Sequence, residues 1–191
     1  MHSVGPPEAT NGPVASPKPP GIKGYAFAVA MAVAGGLLGI IGAFIQELRG
    51  ANLFLGFLAA PVVEEALKPA GVYILQVKWP RLLPNQLFTA TLSGISGMVF
   101  GLVESTVYVK VYFPHHSHAL VVFRYTVDVG LHTLCSFIVG LGINQRLIDS
   151  AEGKVPFLQG SRVYYITAIA IHSLFNITVV ALIALGVWDI R

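Results

Sequence analysis

Eight ionisable side chains stand where an apolar sequence has no ordinary use for them. Glu64, Glu65 and Lys68 share one hydrophobic run, Glu104 lies in the next, Arg124, Asp128 and His132 in a third, and His172 in a fourth, with Asn176 one turn beyond it. A charge at the centre of a lipid-embedded helix costs roughly 2.5–3.5 kcal/mol on insertion scales, so a set of this size must pair internally, become neutral or hold an ion. Helical spacing allows Glu64 with Lys68, Arg124 with Asp128, Asp128 with His132 and His172 with Asn176 to meet at i,i+4. Pro69 has no N–H for the carbonyl of Glu65, which predicts a kink and room for water beside the acidic pair. Carboxylates and imidazoles gathered in this way suit acid–base activation of water, coordination of a divalent ion, or relay of protons.

The elements that must position these groups follow from composition. Of 191 residues 54% are hydrophobic and 11% charged, against roughly 25% charged in soluble domains, and the mean hydropathy is +0.71. Five apolar runs approach the roughly 20 residues that cross the hydrocarbon of a bilayer as a helix. They predict an all-α polytopic membrane protein, a bundle of about five transmembrane helices with spans near 24–46, 53–77, 87–112, 119–143 and 162–185. Residues 1–22 hold six of the 12 prolines and read as a disordered tail, because too little apolar surface is available there to offset ordering entropy. Residues 23–191 are the helical core. The segment between the last two spans, rich in Gly, Pro and charge, reads as a surface loop or interfacial turn.

The formal charge of +3 does not point to nucleic acid, since the basic residues flank apolar runs and act as topology signals. Lys18, Lys23, Lys78, Arg81, Arg146, Lys154 and Arg162 fall on the side of the tail and Arg49, Lys110 and Arg191 on the other, which predicts a cytoplasmic N-terminus. A rise of 1.5 Å per residue then brings Glu64, Glu104, His132 and His172 to similar depths near the middle of the bilayer. Gly35, Gly39 and Ala43, and likewise Ser93, Gly97 and Gly101, recur every four residues and predict close helix packing. His115, His116 and His118 read as a solvated polar turn, Tyr73 and Tyr108 as packing residues. Cys135 has no second cysteine with which to pair.

The motifs Glu64-Glu65-Ala-Leu-Lys68, Phe100-Gly-Leu-Val-Glu104, His132 and His172-Ser-Leu-Phe-Asn176 resemble those of PrsW-type intramembrane proteases, a family similar to the CAAX-processing and bacteriocin-processing endopeptidases. The resemblance runs from about Ala60 to Thr178. The CAAX-processing branch carries EExxxR and then FxxxH, whereas here the basic residue comes one position earlier and the second motif ends in Glu104, which favours the PrsW-like branch. The resemblance implies an integral membrane protease of a prokaryotic plasma membrane acting on a single-span substrate such as an anti-sigma factor.

Two chemistries fit such an enzyme, whose catalytic set is Glu64, Glu65, Glu104, His132, His172 and Asn176. In one, Glu104, His132 and His172 bind zinc and leave a position for water, with Glu64 or Glu65 as base. In the other, which the glutamic-type relatives imply, Glu64 and a histidine activate water without metal, His172 and Asn176 stabilise the oxyanion, and Lys68 restrains the acidic pair. A proton- or ion-coupled transporter is the alternative of another class, though the chain lacks the paired interrupted helices of an inverted repeat.

Overall fold

A backbone in lipid finds no water to bond, so each apolar run closes its hydrogen bonds on itself as helix. The computed structural model describes residues 20–48 and 53–187, with side chains outside 46–59. Lys18, Arg49, Arg191 and the Pro-rich segment as far as residue 19 lie outside the described residues. All-α architecture is observed, with no strand among the described residues. The helices are α1 (Ile22–Leu48), α2 (Leu53–Leu67), α3 (Ala70–Lys78), α4 (Gln86–Val107), α5 (His118–Phe123), α6 (Val129–Leu141), α7 (Gln145–Ala151) and α8 (Arg162–Ala184). A wide π-type turn, Tyr108–Tyr112, extends α4, and another, Arg124–Asp128, joins α5 to α6.

Among the described residues, four stretches are long and apolar enough to cross a membrane without interruption: Ile22–Ile45, Gln86–Tyr112, His118–Leu141 and Arg162–Ala184. The remaining expected span is divided in two. Pro69 cannot continue the helical ladder, and the Val72 amide turns to the Pro69 carbonyl at 2.8 Å instead of bonding that of Lys68, while the Tyr73 amide, 3.0 Å from the same oxygen, resumes the regular helical pattern. The kink read from the sequence is thus a break between α2 and α3, which in tandem return the chain to the end where α1 starts.

Polar caps place the starts of the later helices. Asn85 accepts from the Phe88 amide at 2.9 Å to open α4, and Ser117 accepts from the Leu120 amide at 3.2 Å to open α5. Asn144 opens α7, so the expected loop carries a short helix. Its return is held by Ser150, whose Oγ donates to the Pro156 carbonyl and accepts from the Leu158 amide.

One end of the bundle is fixed by three contacts. The start of α1 lies against Leu82, Gln86 Nε2 donates to the carbonyls of Gly140 and Ile143, and Ser161 Oγ donates to that of Gly142. Exposed Lys23, Lys78, Arg81, Arg146 and Arg162 gather at this end. Ala28, Ala32, Val72, Leu75, Leu92 and Ile143 form its core, and Cys135, buried and free, packs with Val139 and Ala168.

Helix α4 is central, packed between α1 and α6. The approach is so close that a Cβ on Gly97 would lie 2.3 Å from the His132 carbonyl oxygen, and one on Gly71 would lie 1.7 Å from that of Met31. Small residues therefore set the interhelical distance, as expected in lipid. Apolar side chains such as Leu134, Val163, Ile166 and Leu174 point outward.

Gly71→Ala forces α3 away from α1 and is expected to destabilise the protein by about 1–3 kcal/mol. Gly130→Ala, with nothing within 4 Å of the new methyl, is expected to be neutral or to stabilise by up to about 1 kcal/mol. Thermal unfolding of both variants in detergent checks the contrast.

Candidate active site

Lys68 is the last residue before the break, and its placement organises the site. Its carbonyl has lost its helical partner and accepts a hydrogen bond from Ser96 Oγ of α4. Its side chain, fully buried, runs over the Phe100 ring, with Nζ 4.2 Å from the ring centroid. The ammonium donates to Glu65 Oε1 at 2.7 Å and reaches His132 Nδ1 at 2.7 Å. Glu64 Oε2 lies 3.2 Å from Nζ, an ion pair without an aligned hydrogen bond, and this oxygen and Glu65 Oε2 are both buried without a hydrogen-bond partner.

Donor logic orients both imidazoles. An ammonium can only donate, so His132 Nδ1 accepts from Lys68, and Nε2–H then donates to Glu104 Oε2 at 2.8 Å. His172 Nδ1–H donates to Glu65 Oε1 at 2.8 Å. In the neutral ring this leaves His172 Nε2 with its lone pair, 3.8 Å from Glu64 Oε2. The two rings meet edge to face with centroids 4.9 Å apart. Each histidine thus has one nitrogen held by a carboxylate and the other turned toward Glu64 or Lys68, the arrangement that fixes tautomer and aim in metal sites.

A second basic centre adjoins the first. Arg124 Nη2 lies 3.2 Å from Glu104 Oε2 and 3.0 Å from Asp128 Oδ2, and its guanidinium covers the Tyr108 ring at 4.0 Å. Asp128 Oδ2 is 3.6 Å from His132 Nε2. Ser105 Oγ donates to the Arg124 carbonyl at 2.8 Å, in the widened turn. Exposure is graded across the site: the side chains of Lys68 and Glu65 are 0% exposed, that of Glu104 22%.

Among the described residues, two groups bring their donor atoms within 4.8 Å of each other: Glu64, His132 and His172 form one, and Glu104, Asp128 and His132 the other. The ligand set expected from sequence is divided between them, with His132 common to both. Lys68, His132 and His172 lie nine or ten residues from the basic ends of their segments, about 15 Å of helical rise and half of the ~30 Å hydrocarbon thickness.

The family model for PrsW family intramembrane metalloprotease matches residues 18–189. The chain belongs to the PrsW family. No curated protein and no solved structure gives a match. The PrsW motifs named from sequence therefore lie on four segments of one helical core, and their acids and imidazoles come together, as an intramembrane protease requires. Membership favours the protease reading over the transporter, and the protein is an integral membrane protein.

Of the expected PrsW site residues, Glu64, Glu65, Glu104, His132 and His172 join one network. Asn176, half-buried, makes no side-chain hydrogen bond among the described residues, and its expected i,i+4 partner His172 is held by Glu65. The Arg124–Asp128 pair extends to Glu104, a cross-helix contact not read from sequence. Ser96 and Ser105 were also missed. Ser105 continues the four-residue repeat of Ser93, Gly97 and Gly101, and Ser96 stands one turn before Phe100 and two before Glu104, so both stripes held the signal. Tyr73 and Tyr165 share a hydrogen bond of 2.6 Å between hydroxyls, and His116 Nδ1 bonds the Phe113 carbonyl.

Arg124→Met leaves Glu104 and Asp128 without their shared cation. A cost of about 3–5 kcal/mol is expected for breaking a buried pair, with partial recovery in Arg124→Lys. Thermal unfolding of the three proteins is the check.

Proposed function

We propose that this PrsW-family chain is a zinc-dependent intramembrane endopeptidase that hydrolyses a peptide bond of a single-span, anti-sigma-factor-like membrane protein. The observation that carries the reading is the convergence of Glu64, His132 and His172 at mid-membrane depth, with one carboxylate oxygen each of Glu64 and Glu65 lacking a hydrogen-bond partner. Four carboxylates, Glu64, Glu65, Glu104 and Asp128, face the two basic side chains Lys68 and Arg124. The difference is two negative charges, which a divalent ion balances. A His₂Glu donor set is also that of catalytic zinc sites. The residues therefore fit the metal.

In this reading Glu64, His132 and His172 hold the ion, in place of the set headed by Glu104, while Glu65 and Glu104 fix the two imidazoles. When bound, the ion supplies Lewis acidity that strengthens water as a nucleophile and stabilises charge developing on the scissile carbonyl oxygen. Glu65, with one oxygen free, accepts the proton of the attacking water and delivers it to the leaving amine. Glu104 marks the flank from which water enters. The basic end faces the cytoplasm, following the positive-inside rule, of a prokaryotic plasma membrane, and the cut falls in the middle to outer half of the bilayer.

One observation favours a metal-free, glutamic-type variant of this reading. Lys68 already sets a cation among the same donor atoms, 2.7 Å from His132 Nδ1 and 3.2 Å from Glu64 Oε2. Chelation separates the two: loss of reporter cleavage on metal removal, restored by Zn²⁺, is expected, and full activity in metal-free protein rejects the zinc reading.

Glu64→Gln, Glu104→Gln, His132→Ala and His172→Ala are each expected to lower cleavage of a single-span reporter by at least about 100-fold with normal membrane insertion. Undiminished cleavage in all four rejects the protease site. Glu64→Gln and His172→Ala are expected to lose bound zinc as well, whereas Glu65→Gln keeps zinc and loses turnover. Metal analysis alongside kcat distinguishes a ligand from a base.

A further inference from the structure

The point at which the ligand atoms converge is where the protein keeps its own cation. Lys68 Nζ lies 2.7 Å from His132 Nδ1 and 3.2 Å from Glu64 Oε2, atoms of two of the three side chains that would hold a divalent ion. Zinc takes imidazole nitrogen and carboxylate oxygen at about 2.0–2.2 Å. The lone pair of His132 Nδ1 cannot serve an ammonium hydrogen and a metal together. Glu104 occupies the other ring nitrogen at 2.8 Å, so Nδ1 is the nitrogen left for the ion.

From this conflict we infer that Lys68 is a displaceable internal counter-cation. It fills the Glu64–His132 gap in the metal-free protein and leaves that gap when a divalent ion enters. The inference rests on the zinc reading above. The side chain has a route that keeps it paired: Glu65 Oε1 already accepts from Nζ at 2.7 Å, and pivoting on that bond carries the ammonium away from His132 while leaving Glu65 Oε2 for the proton of the attacking water. A lysine stem is flexible and its three N–H donors rotate, so the ammonium can turn about the Glu65 carboxylate without entering lipid. Without such an occupant, Glu64 and Glu65 face each other as uncompensated buried charges before metal arrives. Lys68 thereby acts as a positioning residue that holds the empty site in shape and lowers its apparent affinity for the ion.

The test uses the full chain in detergent, titrated with Zn²⁺ against a chromophoric chelator. Removing the occupant in Lys68→Met is expected to tighten zinc binding by about tenfold or more, because the fraction of protein with an open site rises. The metal-free variant is expected to unfold at a lower temperature than the wild type and to gain more from added Zn²⁺. Equal zinc affinity in the two proteins overturns the displacement and leaves the zinc reading standing, whereas absence of zinc binding in both overturns the two together. Should Lys68→Met fail to fold, the wild type labelled with ¹⁵N-lysine decides. The Lys68 Nζ resonance is expected to move on saturation with Zn²⁺, and an unmoved resonance in zinc-loaded protein rejects the inference.

Discussion

A lysine ammonium and two carboxylates buried together in a lipid-embedded core set the conditions that the rest of the molecule satisfies. Taking one ion from water into a low dielectric costs several kcal/mol after relaxation, and mutual attraction offsets this only with good geometry and further hydrogen bonds. Here the geometry comes from a broken helix. Pro69 ends the ladder of α2 at the residue that carries the ammonium, which frees a carbonyl, and Ser96 on α4 accepts the task of satisfying it. The Phe100 ring supplies a π-face beneath the charge. Backbone break, hydroxyl and aromatic face all belong to the cost of keeping one cation in the interior.

The same logic repeats beside it with a different cation. Arg124 spans Glu104 and Asp128 through one guanidinium nitrogen, Nη2, at 3.2 and 3.0 Å. His132 lies between the two centres, bonded to Lys68 on one nitrogen and Glu104 on the other. It is thereby the coupling element, since any change in the partner of Nδ1 is felt at Glu104 through the tautomer of the ring. Such a chain tolerates little slack, and the glycine contacts explain how it is held. Gly97 brings the α4 backbone against the carbonyl of His132 itself, and Gly101 brings it against the ring. The packing seam and the site are one feature seen from two sides.

Much of this was legible before any coordinates. Apolar runs placed the crossing segments within a few residues, because in lipid hydrophobic length and helix length are the same constraint. Pairs within one helix were legible too: Glu64 with Lys68, Arg124 with Asp128 and Asp128 with His132 meet as the i,i+4 rule requires. What the sequence withheld was the rotation of each helix about its axis. Glu65–His172, Glu104–Arg124 and Lys68–His132 depend on that rotation, and no spacing along one segment encodes it. Asn176 is the counter-example: helical spacing puts it near His172, but the imidazole is aimed by Glu65 from another helix. Pro69 announced a bend, yet whether it would kink or divide the segment turned on a carbonyl partner in α4.

The grading of exposure, from fully buried Glu65 and Lys68 to partly exposed Glu104, gives the site a direction. Hydrolysis in a membrane must admit water to one point while excluding it from the charges that hold that point together, because hydration would weaken each of the pairs described above. A single accessible carboxylate at one flank, backed by an arginine and leading inward through an imidazole to the buried lysine–glutamate cluster, gives water one way in and keeps the other sides of the cluster dry. Water arriving at Glu104 meets a fixed acceptor, and the next polar group inward is His132, already oriented. The order Glu104, His132, Lys68 and Glu65 is therefore an order of decreasing wetness as well as of contact. It places the acids that compensate the interior charge at the far end from the solvent, where their low-dielectric surroundings make them most effective.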